Sequence, residues 1–160
     1  MNCAAAAPRI SVRNSQRKLH VDLQPLHQFA ERALREAMQL QIDVSSAFDV
    51  LEEISVAIVS DARMAALHRR FMNIAGPTDV LTFQHGEIVV SAETAQRNAS
   101  QYRTTAEDEI RLYIVHGILH LMGFDDTTAV AARTMTKAQK RIFIAVSRPD
   151  RAAPRGRGAV

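Results

Sequence analysis

Tryptophan is absent from this chain, and cysteine occurs once, at Cys3. A lone thiol forms no disulfide within the chain and excludes a cysteine-ligated zinc site. The lack of disulfides fits a reducing compartment. Long apolar runs are missing too, since no stretch approaches the roughly 18 residues of a membrane span. Met1 to Pro8 holds four alanines but no basic segment followed by an apolar run, so it does not look like a signal peptide. These gaps point to a soluble, cytoplasmic protein with no membrane and no disulfide partner. Charge of one sign is also modest: 20 basic residues against 17 acidic give a net +3, which permits an RNA partner without demanding one. The basic residues gather at Arg9, Arg13, Arg17 and Lys18, at Arg69 and Arg70, and at Arg148, Arg151, Arg155 and Arg157. Solvated surface charge is the plainer reading of any one cluster.

What is present describes one globular domain. The 160 residues are 47% hydrophobic and 23% charged, enough to bury a core. The domain is expected over residues 1–147, and residues 148–160, rich in Arg, Ala, Gly and Pro, are expected to form a basic disordered tail.

Periodicity places the elements. Ile10 and Val12 alternate in a short strand over Arg9 to Arg13, and Ile54, Val56 and Ile58 mark a second. Leu26, Phe29, Ala30, Ala33, Leu34, Ala37 and Met38 form one face of an amphipathic helix over Pro25 to Leu40. Ser60 and Asp61 can cap a helix that runs towards Met72 and is stopped by Gly76-Pro77. Val80 to Phe83 and Glu87 to Val90 are separated only by Gln84, His85 and Gly86, which predicts a tight hairpin. Ser91 is expected to cap a helix over Ala92 to Tyr102. Thr104 and Glu107 have capping-box spacing ahead of a helix over Ala106 to Met122. That helix is apolar on nearly every side, hence buried, and Gly123 suits its left-handed end. A last helix covers Thr127 to Val146. The order indicates an α+β fold: a small mixed four-stranded sheet packed by about five helices, with a metal site at the end of the buried central helix.

The chemistry lies in that helix. His116 and His120 are four apart, so both imidazoles lie on one face and can reach one ion. Histidine inside an apolar helix is costly unless something satisfies it. The turn at Gly123-Phe124 can bring Asp125 or Asp126 back to the pair. Three protein ligands with a vacant position would make a catalytic site. Asp126 could instead be an N-cap ahead of Thr127, and one carboxylate can do both jobs. Position 117 is glycine, so the glutamate base of an H-E-x-x-H protease is absent and peptide hydrolysis is disfavoured.

The run from His116 to Asp126, HGILHLMGFDD, is similar to the H-G-x-L-H-L-x-G-Y-D-H signature of the bacterial YbeY-type rRNA maturation factors, single-strand-specific endoribonucleases. Pro77 to Phe83 resembles that family's P-T-[DN]-V-L-[ST]-F strand, Gly86 to Ser91 its G-D-I-x-I-S strand, and Ile10 to Gln16 its first strand. The resemblance covers about Ile10 to Val146. It implies a compact α+β fold, one zinc ion, a cytoplasmic location and action on ribosomal RNA, including the 3′ end of 16S rRNA, in ribosome biogenesis and quality control. The family's metal ligands fall on His116, His120 and Asp126. The third is usually histidine, and Asp is an ordinary zinc ligand at about 2.0–2.2 Å. It lowers the site's charge by one. A family arginine falls on Met72, and Arg69 and Arg70 nearby are candidates to grip phosphate in its place, with exposed helix charge as the plainer alternative.

Three functions compete. The first is a metal-dependent endoribonuclease. With aromatics at 5% of the chain, it would hold single strands by their backbone rather than by reading bases. The second is a binding factor on the small ribosomal subunit with a structural metal, closed by His85 or Glu87 as fourth ligand. The third, a hydrolase of peptides or small esters, lacks its base.

Overall fold

The computed structural model describes residues 6–40, 42–43 and 46–148. The readings made for Cys3 and for the basic tail beyond Arg148 lie outside these residues. The elements in order are β1 (Arg9–Asn14), α1 (Leu23–Met38), α2 (Ser46–Asp49), β2 (Glu53–Val59), α3 (Asp61–Met72), β3 (Val80–Phe83), β4 (Glu87–Ser91), α4 (Ala92–Tyr102), α5 (Ala106–Met122) and α6 (Ala129–Ser147). The strands form one mixed sheet in the order β1-β2-β4-β3. β1, β2 and β4 are parallel, and β3 folds back antiparallel on β4 through the expected hairpin. The α+β class and the four strands therefore stand.

Side-chain alternation gives the sheet two unequal faces. Ile10, Ile54, Val56, Ile58, Ile88 and Val90 point into the main core, shared with α1, α5 and α6. Ala57, Val59 and Val89 point the other way, into a smaller buried cluster with Met64 of α3, against which Leu67, Leu81 and Phe83 pack. α5 lies on the first face and buries Ile110, Ile114, Ile118 and Leu119 completely. Gly117 makes that approach possible. A Cβ there would meet Ile88 Cγ2 at 2.6 Å and Cδ1 at 2.9 Å, and Ile88 is fully buried with nowhere to go. Overpacking outweighs the better helix propensity of alanine, so Gly117→Ala should cost about 1–2 kcal/mol in urea unfolding.

The helix ends differ from the sequence-based expectations in instructive ways. There are six helices among the described residues rather than about five. The extra one, α2, is a single turn without a periodic signal. α1 starts two residues before Pro25 because Asp22 caps it, accepting from the Gln24 N–H. Pro25 then sits in the first turn, where a missing N–H costs nothing. α3 stops at Met72, ahead of Gly76-Pro77, because Asn73 adopts the left-handed conformation (φ 54°) and its N–H bonds Arg69 and His68 carbonyls. The cap of α5 is Thr105, whose hydroxyl accepts from the Asp108 N–H at 3.1 Å. Thr104 is one residue too early and donates to the buried Glu109 at 2.6 Å.

Ser91, expected as the cap of α4, occupies the N-cap position but makes no side-chain capping bond. Its hydroxyl donates instead to Asp61 Oδ1, as does Thr94, while Arg97 grips Oδ2. Burial alone would raise the Asp61 pKa. The bonds from Arg97, Ser91 and Thr94, with the Arg97 charge, outweigh burial and hold it below its ordinary value. A depressed carboxyl stabilises the fold fully above its unfolded pKa and loses that contribution as pH falls through the folded one. Asp61→Asn is expected to cost about 2 kcal/mol at neutral pH. The gap to wild type should narrow as denaturation is repeated below the ordinary carboxylate range.

Candidate metal centre

The C-terminal turns of α5 carry His116 and His120 one above the other, with ring centroids 4.6 Å apart and planes 82° apart. Their Nε2 atoms approach to 3.0 Å. Each ring is held from behind. His116 Nδ1 lies 2.9 Å from Gln139 Oε1 of α6, and His120 Nδ1 lies 3.0 Å from the Phe124 carbonyl. A carbonyl only accepts, so each Nδ1 carries the hydrogen and each Nε2 presents a lone pair. Burial is the main reason the His120 pKa falls below its ordinary value, with the neighbouring His116 adding to it against the opposing Asp126 charge. The neutral, ligating form is thereby favoured.

The turn after α5 delivers the third group. Gly123 (φ 110°) takes the left-handed position, its N–H bonding the His120 carbonyl while the Phe124 N–H bonds the Leu119 carbonyl, both at 3.0 Å. This six-to-one and five-to-two pair is a Schellman motif, and it reverses the chain. Asp125 then accepts from both the backbone and the hydroxyl of Thr127. Thr128, not Asp126 or Thr127, caps α6 by accepting from the Ala131 N–H. Asp126 is thus free of capping duty. Its Oδ2 lies 3.8 Å from His116 Nε2 and 3.9 Å from His120 Nε2.

Three electron-pair donors therefore converge on one point. The circle through atoms at those separations has a radius of about 2.1 Å, the length of a zinc–nitrogen bond. The donor set and its spacing fit a divalent ion. Among the described residues, no other group of three or more His, Cys, Asp or Glu side chains is so arranged. Asp126 is half-exposed, so one side of the point is open.

Other sequence-nominated residues do not join the centre. His85 and Glu87 pair with each other at 3.4 Å, and Glu87 also pairs with Arg13, on the sheet face away from α5. Neither supplies a fourth ligand. Arg69 and Arg70 are exposed on the last turn of α3, and Met72 beside them is 56% exposed. None of the three pairs with the histidines or Asp126. Gln139 and the Phe124 carbonyl escaped the sequence reading. Gln139 stands 23 residues beyond His116, and only the packing of α6 along α5 brings it near.

The same residues can be set against known proteins. A family model described as Endoribonuclease YbeY matches residues 11–147. Endoribonuclease YbeY of Leifsonia xyli subsp. xyli is 32% identical over 126 residues, covering 65% of this chain and 82% of the relative. That of Thermobifida fusca is 36% identical over 110 residues, covering 58% and 71%. The solution structure of a Thermotoga maritima protein superposes with a TM-score of 0.60 at 27% identity, over 86% of this chain and 88% of that one. Because the family match runs from within β1 to the last residue of α6, taking in the whole sheet and the histidine helix, the chain belongs to the YbeY family.

Proposed function

We propose that His116, His120 and Asp126 hold one zinc ion with which this chain cuts single-stranded RNA, its substrate being ribosomal RNA precursors such as the 3′ end of 16S rRNA. Family membership carries the coarser statement, a hydrolase acting on RNA. The observation behind the finer one is the pair of Nε2 lone pairs turned onto a carboxylate oxygen, with both Nδ1 hydrogens already committed. An ion bound there would supply Lewis acidity to a phosphoryl oxygen and a more acidic water.

The chain's own residues do the positioning. Gln139 and the Phe124 carbonyl set the ring orientations, and the Schellman turn sets Asp126. Arg69 and Arg70 offer cations to phosphate oxygens, a contact that positions a strand without reading its bases. The binding-factor reading needs a site closed by four protein ligands, and three come together among the described residues. The core is also built without the centre, so removing the metal should not melt the fold. No helix among the described residues is long and apolar enough to cross a membrane.

The test is cleavage of single-stranded against duplex RNA by zinc-loaded and chelated protein. Loss of single-strand cutting on chelation, and its return with zinc, is the expected result; equal cutting without metal contradicts the proposal. Gln139→Leu should weaken zinc affinity about ten- to hundredfold, because a ligand's outer hydrogen bond tunes its basicity and aim. Competition with a chromophoric chelator measures it.

A further inference from the structure

On the second face of the sheet, between α3 and the β3–β4 hairpin, lies a groove of about 530 Å³. That is a size suited to a small ligand or one nucleotide of a longer one. Its floor is Ala57, Val59 and Val89, all buried, with Ala57 and Val89 paired in register. One end of the groove carries rings: Phe83 stacks on His85 with centroids 5.8 Å apart and planes 25° apart, and Phe71 meets Phe83 edge-on at 5.1 Å. Phe71 is 53% exposed, an unusual position for a phenylalanine in a chain with six of them and no tryptophan.

The walls are cationic. Arg13, Arg63 and Arg70 line the groove, and among the described residues lining it Glu87 is the only carboxylate, already bound to Arg13 at 3.2 Å. Among the described residues, the Arg63 and Arg70 guanidiniums have neither an ion pair nor a hydrogen bond, and Arg70 lies 5.3 Å from the Phe71 ring. Two free cations beside exposed rings over an apolar floor match a base with its phosphates, since stacking and backbone charge are what hold single strands. An acidic protein segment would use the cations but not the ring platform. The low overall count of aromatics conceals this, because two of the eight Phe and Tyr residues, Phe71 and Phe83, stand beside the arginines.

We propose that this groove is a second RNA subsite, holding one nucleotide of the single strand away from the cut. Its base lies on the Phe83–His85 platform and its phosphates on Arg63 and Arg70. The proposal rests on the RNA reading above and deepens it. α5 and its histidines sit on the other face of the sheet, so the groove adds grip and not chemistry. β3 is the edge strand between the two, with Phe83 turned into the groove and Thr82 to the opposite side.

The experiment is fluorescence anisotropy with a labelled 2′-O-methyl single strand of about twelve nucleotides, within the length such proteins cover, on the zinc-loaded full chain. Arg63→Ala with Arg70→Ala should weaken binding about tenfold and flatten the salt dependence by about 0.7 for each phosphate that is no longer neutralised. Phe83→Leu, which keeps an apolar side chain, should weaken binding about tenfold with an unchanged salt slope. Zinc content and the unfolding midpoint of the arginine variant should match wild type. Should Phe83→Leu fail to fold, the arginine pair still decides. Wild-type affinity and slope in that folded pair would overturn the groove proposal alone and turn the search for an occupant towards a protein. No binding by wild type would bring down the RNA reading and the groove with it.

Discussion

His120→Ala should abolish RNA cleavage, by at least about a thousandfold, while the protein still unfolds cooperatively. Losing one of three ligands forfeits the ion, and a Lewis acid worth about 4 kcal/mol of barrier corresponds to that factor. The cost to the fold is small for a structural reason. The ring has about a quarter of its surface exposed, and α5 is anchored by Ile110, Ile114, Ile118 and Leu119 on its other sides. Truncation of such a side chain costs about 1 kcal/mol. The lost bond to the Phe124 carbonyl loosens the turn locally. Single-turnover cleavage beside thermal unfolding separates the two effects. Full activity in a variant verified as metal-free would remove the mechanism.

The second large effect belongs to Asp126. Asp126→Ala should lower zinc affinity by a hundredfold or more, yet leave the metal-free protein within about 0.5 kcal/mol of wild type, because an exposed carboxylate that caps nothing contributes little to stability. Asp126→His, which installs the residue usual at this place in the family it resembles, should keep the ion. A cap would behave in the opposite way. Its loss would cost about 1 kcal/mol without metal and spare the affinity. Denaturation of apo-protein and a zinc titration of the same three proteins distinguish these outcomes.

How far the sequence carried depends on the range of each interaction. The histidine pair was legible because i and i+4 share a helix face wherever the helix lies. The strands and the hairpin were legible from alternation and from the three-residue spacing at Gln84 to Gly86. Asp126 was ambiguous because capping and ligation both draw on carboxylates at a helix start. The matter turns on Asp125 and Thr128, which take the turn and the cap and leave Asp126 over. The α5 cap slipped by one residue for a local reason, since Thr104 donates to Glu109 five residues on and leaves the cap to Thr105. Gln139 was beyond reach, being brought to His116 only by the packing of two helices. The groove on the second sheet face was hidden as well. It depends on how α3 and the β3–β4 hairpin pack around Ala57, Val59 and Val89, residues distant in sequence.

Metal content of the purified chain by mass spectrometry, with His116→Ala and Asp126→Ala alongside, tests the centre most directly. The account predicts about one zinc per wild-type chain, lost in both variants, since affinity rests on all three ligands. A wild-type protein that is metal-free and cannot be loaded, or an Asp126→Ala protein that keeps a full complement, would contradict it.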